Sequence, residues 1–478
     1  MKFLTKNAIA IILVSLFFGF AACEDPKINE GNDAEFTHFE FVYMIDTPMI
    51  DRANKTIIAK IDSVVNVTNL TPSFVLTNGA TAYIKNVEQK SGVTENDFST
   101  IVTYTIVSEN KKTVNEWKVI ITRELGQGSI DYTDYEFNKN VSFQPGIYYM
   151  NGNITIANKI YFMLNPGVTI ILGENSKFTV GNQACFMARG TSSEPIIFTS
   201  ETSEWAGFIF NDVDEAEFHY CKFDNAGQTG SQFMQVNNNS NIGILHSEFK
   251  NINCTGILLD NNTTFRVFDN NTLINVGSDD GCYPIRFKTI NSTSNLGENN
   301  SIITDKGIYI ENGTITSSIT LFGQTCPYIF EGDIRTSSVT DMTFFISNGV
   351  TIYMNDGKGI YIGNSKMLFK AEGTEAKPVI FKGNTTENIP GFWNGFTLNL
   401  NILEGSNFTY CHINDAGNGL DAGAIKCDKT KYSNLTIQHC NIKNTKSHGI
   451  YLTMGSDAKI LNNNIEVEPP FKEIKQED

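Results

Sequence analysis

Residues 244–259 read ILHSEFKNINCTGILL and residues 437–452 read IQHCNIKNTKSHGIYL. Ile244, His246, Phe249, Asn251, Gly256, Ile257 and Leu259 thereby recur as Ile437, His439, Ile442, Asn444, Gly449, Ile450 and Leu452, all at one offset of 193 residues. A match of this length inside one chain signals a repeat architecture, and it restricts the fold before any single residue is considered. The repeat extends upstream. Asn165 to Phe198 (NPGVTIILGENSKFTVG ending in PIIF) returns as Ser347 to Phe381 (SNGVTIYMNDGKGIYIG ending in PVIF). Between these blocks the landmarks keep their order. Trp205-x-Gly207-Phe208 answers Trp393-x-Gly395-Phe396, and Tyr220-Cys221 answers Tyr410-Cys411. The offset grows from 182 at Gly167 to 188 at Trp205, 190 at Tyr220 and finally 193, so length is added only between the matched segments. Loops absorb insertions in this way, whereas packed strands do not.

Within each half lie runs of three to six residues rich in Ile, Val, Phe, Tyr and Thr, such as ITI at 154–156 and GVTIIL at 167–172. They alternate apolar and polar residues and are punctuated by Gly, Asn and Asp, which is the strand pattern. After the first twenty residues no stretch holds a helical period. Asparagines crowd the gaps, as at Asn237 to Asn239, Asn270-Asn271 and Asn462 to Asn464. Asparagine tolerates left-handed backbone, and stacked amides hydrogen-bond one above another. Short strands, tight turns, a coil of roughly twenty to twenty-five residues and a duplication predict a parallel β-solenoid.

From about Pro145 to Glu466 the chain resembles right-handed parallel β-helix proteins of the pectate-lyase-like class. The phrases GVTI, G-T-x-x-x-P-[IV]-I-F, W-x-G-F and N-[TI]-[LI] carry the resemblance. Upstream, the strands expected at Phe36–Tyr43, Asn54–Asp62, Ser73–Leu76, Thr81–Asn86, Thr100–Ser108 and Glu116–Thr122 suit a β-sandwich. VTNLTPSFVLTNGATAYIKN, with SGVTENDFSTIVTYTIVSEN and WKVIIT, resembles the immunoglobulin-like domains near the start of Bacteroidetes surface lipoproteins, which act as spacers. The fold class expected is thus all-β. The domains expected are an immunoglobulin-like sandwich at 36–123, a linker and solenoid cap at 124–144 with a hinge from Glu124 to Tyr135, β-helix halves at 145–326 and 327–466, and a polar tail at 467–478 that blunts the last coil.

The start of the chain reads as a secretory signal over residues 1–22. Lys2 and Lys6 precede the apolar run Ala8 to Phe20, which is too short to span a bilayer. Phe20-Ala21-Ala22-Cys23 resembles the bacterial lipobox, with Phe in the place of the usual Leu; Gly19-Phe20-Ala21 offers an ordinary cleavage site instead. In the lipobox reading Cys23 is lipidated, residues 23–35 are a tether, and Glu24-Asp25 resembles the surface-export signal of Bacteroidetes lipoproteins. The resemblance implies an outer-membrane, surface-exposed protein held by a lipid anchor only.

Thirty-six basic residues against fifty-two acidic ones give a net charge of −16, which disfavours nucleic acid as a partner. Beyond Cys23 all eight cysteines fall in the solenoid with no Cys-x-x-Cys pair, and buried free thiols are expected. For catalysis the candidates are Asp279, Asp280 and Arg286, in a Ser-Asp-Asp-Gly phrase that resembles the paired aspartates of polygalacturonase-type enzymes. The Gly-His-Gly and Arg-Ile-Lys phrases of those enzymes are missing, and Asp-Asp-Gly also suits a plain turn. Asp212, Asp214, Glu215 and Glu217 alternate as one polar strand face does. No metal or cofactor spacing is found. Trp205, Tyr220, Trp393 and Tyr410 are candidates for stacking on sugars, with the core plug as the alternative for each tryptophan. Two functions follow: a non-catalytic surface lipoprotein presenting a β-helix for glycan binding, adhesion or envelope architecture, with cell-surface or dietary glycans as partners, or a polysaccharide lyase or glycoside hydrolase.

Overall fold

The structure, a computed structural model, describes residues 31–477 apart from 43, 45, 62–66, 126–129, 201–203, 229–230, 338–340, 364–365 and 432. The expected signal segment and Cys23 lie outside the described residues.

The first domain contains β1 (Phe36–Glu40), β2 (Met49–Asp51), β3 (Thr56–Ile61), β4 (Ser73–Leu76), β5 (Thr81–Ile84), β6 (Val87–Gln89), β7 (Val102–Val107) and β8 (Val114–Leu125). Each of the six strands expected here is present, and the short β2 and β6 are additional. β1 pairs antiparallel with β4, and the other strands form a second sheet. Alternation decides which residues face inward: Ile57, Ala59 and Ile61 from β3, and Val102, Tyr104 and Ile106 from β7, are all buried. Phe36 lies between the layers, edge-on to Phe39, Phe74, Tyr104 and Trp117 at centroid distances of 5.4–5.5 Å.

The solenoid is a right-handed β-helix of about 13 turns, every strand parallel to its neighbour one coil away. In the first half each coil visits three faces in order, as in Cys185–Arg189 (first face), Ile196–Thr199 (second) and Gly207–Asn211 (third). Inward positions form aromatic columns along the rod. Phe198, Phe223 and Phe249 stack at 5.2 and 4.7 Å, and Phe162, Phe186 and Phe218 at 5.1 and 5.4 Å. Corners are closed by buried asparagines. Ser247 donates its backbone N–H to Asn271 Oδ1 and Asn271 donates its own to Asn300 Oδ1, each at 3.0 Å, while the Asn271 amide donates to the Ile244 carbonyl at 2.9 Å. All eight cysteines of residues 185–440 are free and buried. Unfolding without reductant is therefore expected to release eight titratable thiols from the solenoid; fewer would show that disulfides form.

The duplication is not a simple translation along the rod. Strands of the first face end at Phe265–Asp269 and those of the second at Ser301–Ile303, but the third-face sheet continues. Its strand Ile308–Ile315 pairs with Ile285–Thr289 behind it, and ahead of it with Tyr328–Phe330 and Ile334–Thr336 as well. From there the GVTI strand at 351–354, the counterpart of second-face strand 168–172, belongs to the sheet that was the third face. The second copy is thus set one face further round than the first, and the step falls within the unmatched stretch from Asn275 to Phe322.

On both sides of residues 126–129 the expected hinge is paired into the solenoid. β8 pairs through Arg123–Leu125 with Val141–Phe143, so one sheet runs from the first domain into the first face, and Ile130–Thr133 already pairs with Tyr148–Asn151. Residues 124–144, expected as linker and cap, thereby supply strands of the opening coils. The domain also packs onto that face. Ile120 joins Tyr161, Cys185 and Met187 in a buried cluster, and Lys118 Nζ donates to Asp214 Oδ2 at 2.6 Å. A continuous ladder, an apolar seam and an ion pair together resist rotation about the junction.

At the far end the polar tail adds a strand, Ile474–Gln476, to Ile450–Leu452. His448 clamps it. Buried under Phe471 and Tyr451, its Nδ1 accepts the Lys472 backbone N–H at 2.9 Å and its ring also hydrogen-bonds the Leu420 carbonyl. Burial, then the Lys475 ammonium, holds its pKa below the usual 6.5. A lowered histidine pKa stabilises the fold above 6.5 and the contribution is lost as pH falls through the folded value. Amide exchange at residues 474–476 is expected to quicken as pH drops from 7 to 5 beyond the intrinsic pH trend, and His448→Phe is expected to flatten that excess.

Candidate functional site

The W-x-G-F phrase is a core device. Trp205 and Trp393 are each 0% exposed, and their indole N–H groups donate to the Asp224 and Asn414 carbonyls of the next coil at 3.1 and 2.8 Å. Gly207 has φ 118°, and a Cβ there would lie 1.8 Å from the Phe233 carbonyl oxygen; at Gly395 the Ala424 oxygen would be 2.6 Å away. Glycine is required because the next coil's backbone passes over it. Neither tryptophan face is open to a sugar, which corrects their reading as ligand-stacking residues.

Tyr220 and Tyr410 are placed differently, at a solvent-facing corner. Tyr220 stacks on His246 with centroids 4.7 Å apart and planes 9° from parallel, and Tyr410 stacks on His439 with the same distance and angle. The tyrosines are half-buried and the histidines exposed. Each pair continues into an asparagine, Asn270 or Asn462, at the same corner of the following coil. All six residues are left-handed, with φ of 47°, 51° and 56° in the first copy and 49°, 55° and 51° in the second. We refer to these columns as ledges. Beside each runs a shallow cleft, about 140 Å³ in the first half and 260 Å³ in the second. Thr191 and Pro195, from the loop one coil before Tyr220 at the same corner, line the first, and Thr374 and Pro378 occupy the equivalent places in the second.

The weak catalytic candidates do not form a constellation. Asp280 is exposed in the turn before Ile285–Thr289, where Asp279 accepts the Cys282 backbone N–H at 3.1 Å through its carbonyl and Gly281 takes φ 73°. Arg286 is bound to Glu311, which also accepts from Lys288 at 2.9 Å. This is the geometry of a turn followed by a strand-face ion pair.

The acidic run 212–217 is divided among three tasks. Asp212 accepts from Asn182 Nδ2 at a corner at 2.6 Å, and Asp214 holds Lys118 of the first domain. Glu215 and Glu217 project from the first face, where Glu217 lies between Arg189 and Arg266. The sequence reading did not include the two histidines in the site. A signal was available, since Tyr220 and His246, like Tyr410 and His439, are about one coil apart and recur together.

Residues 36–121 match the family model for the SGBP N-terminal domain, which belongs to surface glycan-binding proteins of Bacteroidetes, and residues 334–467 match that for right-handed β-helix regions. The chain carries an SGBP domain followed by a β-helix. No curated protein matches it. Similar solved structures include a candidate glycoside hydrolase from Bacteroides thetaiotaomicron, at 24% identity over 20% of this chain with a TM-score of 0.17. Another is a candidate secreted protein from Bacteroides fragilis, at 17% identity over 20% of this chain and 98% of that one, with a TM-score of 0.16. The chain spans 26% of the length of the first. The SGBP domain is the unit whose β8 enters the first-face sheet. Among the described residues no helix is long and apolar enough to cross a membrane.

Proposed function

We propose that this chain is a non-catalytic glycan-binding protein of the bacterial surface, anchored in the outer membrane by a lipid on Cys23, with the solenoid as its binding surface. The observation that carries the reading is the pair of Tyr–His ledges. Left-handed corners elsewhere in the solenoid are built mostly from Asn, as at Asn225, Asn251 and Asn275, or from Asp and Gly, with Lys159, Gln183 and Lys429 as non-aromatic exceptions. Tyrosine is less at ease in that conformation than Asn or Gly, by roughly 1 kcal/mol. Stacking returns part of this cost, yet retention of solvent-facing rings in both copies suits a surface that meets ligands. The SGBP domain at the amino terminus supports the same class of partner.

Affinity electrophoresis of the mature protein against neutral and uronic-acid polysaccharides, with product detection, tests it. Retardation without new reducing ends or unsaturated products is the expected result. Release of product would favour the lyase or hydrolase alternative, and no retardation by any polysaccharide would overturn the glycan reading. The anchor is tested separately: Cys23→Ala should leave the protein unable to partition with membranes after a salt wash.

A further inference from the structure

We propose that the two ledges are separate glycan sites of unlike specificity, the first selecting charged sugars and the second neutral ones. This rests on the glycan-binding reading and goes further, because it assigns the sites, their number and their chemistry.

Each groove has a wall that both copies share and a floor that they do not. The wall is the ledge, Tyr220-His246-Asn270 or Tyr410-His439-Asn462, closed at one end by a threonine and a proline of the preceding coil. The floor is the first outward row of the adjoining strands, whose residues lie side by side in register. In the first copy Lys222 neighbours Glu248 and Glu248 neighbours Thr272; in the second His412 neighbours Asn441 and Asn441 neighbours Asn464. Coils are about 4.8 Å apart, close to the length of one pyranose ring, so a glycan chain lying along a groove presents a similar edge to each coil. Tyrosine hydroxyls, imidazoles and asparagine amides then meet sugar hydroxyls at every step, and the ring edges meet C–H groups.

The floors differ in kind. Lys222 is exposed and Glu248 half-buried, and neither has an ion pair of its own among the described residues. An ammonium beside a carboxylate matches a sugar that carries a carboxylate or an amine, and it leaves a charge poorly matched when a neutral sugar occupies the groove. The second floor offers two amides and an imidazole, which suit neutral hydroxyls, and the one carboxylate lining that groove, Glu375, stands off the floor on the loop before Val379, where the first groove has Ser192. Duplication supplied two copies of one wall, and the floor is where they diverged.

The step at residues 308–315 separates the sites further. The first ledge stands where the first face turns into the second. The second ledge stands one face further round, so one straight chain along the rod cannot fill both grooves, and two glycan strands can be held by one molecule.

The test uses Tyr220→Asn and Tyr410→Asn, since asparagine is at home in left-handed corners and removes the ring without disturbing the backbone. Calorimetric titration of the mature chain uses oligogalacturonides and chitosan oligomers as charged probes, and cello-, manno- and xylo-oligosaccharides as neutral ones. Tyr220→Asn is expected to weaken a charged probe at least tenfold and leave the neutral ones unchanged; Tyr410→Asn is expected to do the reverse. Lys222→His with Glu248→Asn should convert the first groove, raising neutral-probe stoichiometry from one to two per chain. If both tyrosine variants weaken the same probes alike, or the double variant binds as the parent does, the two-site proposal fails while glycan binding stands. If the parent binds polysaccharides but both classes of probe saturate at one shared site, it fails likewise. If the parent binds none, the glycan reading fails with it.

Discussion

Trp393→Ala is expected to destabilise the second half of the solenoid by about 3–5 kcal/mol, the cost of emptying a large aromatic site in a close-packed core. The indole is fully buried, lies 5.5 Å from Phe396 edge-on, and ties two coils together through its N–H to the Asn414 carbonyl. In a solenoid each coil touches only its neighbours, so the loss should be local. Amide protection is expected to fall in strands 395–399 and 411–414 and to persist in 168–172. Trp393→Phe keeps most of the volume and drops the hydrogen bond, and about 1–2 kcal/mol is expected for it. Glycan affinity of the folded Trp393→Ala protein should equal the parent's. Unchanged stability with lost binding would restore tryptophan to the ligand-stacking role from which its burial removes it.

Glu217→Gln is expected to cost about 3 kcal/mol at pH 7, the lower end of what breaking a buried ion pair costs. Glu217 itself is 7% exposed, whereas Arg189 and Arg266 keep 34% and 37% of their side-chain surface, so water screens part of the loss. Burial works to raise the Glu217 pKa, but the Arg189 charge and hydrogen bonds from both guanidinium groups hold it below 4.5. A lowered carboxylate pKa contributes stability above 4.5 that is lost as pH falls through the folded value. The gap between parent and variant should therefore close between pH 5 and 3 in urea titrations. Glu215 is the control on the same strand. Burial first, then the Glu217 charge, pushes its pKa up, so the folded state disfavours its ionised form and Glu215→Gln should be neutral or stabilising at pH 7. Equal losses at 215 and 217 would refute the assignment of Glu217 as the hub.

The solenoid, its direction of stacking and its doubling were legible because a β-helix writes its core in short-range repeats. The GVTI strands, the corner asparagines and the W-x-G-F glycines each answer a local demand of packing or backbone geometry. The strands of the first domain were legible for the same reason, through alternation in Thr56–Ile61 and Val102–Val107. The site was legible only in part. Tyr220 and Tyr410 were found as a recurring pair, but their histidine partners belong to the next coil, and which side chains share a corner depends on coil lengths that vary with each loop. Trp205 and Trp393 could not be divided between plug and platform from sequence, since an indole serves both and only its surroundings tell them apart.

Sequence alone determined that this chain is an all-β molecule with a doubled β-helix behind a small β-rich domain. Those features rest on residue periodicity and on the conformations that Gly and Asn accept, and both are properties of neighbours along the chain. Tertiary structure alone decided that the ends of the supposed hinge are paired strands, that the second copy is turned one face round at Ile308–Ile315, and that each tyrosine lies on a histidine of the following coil. These are relations between segments distant in sequence, set by how one coil registers on the next, and no local pattern encodes a register.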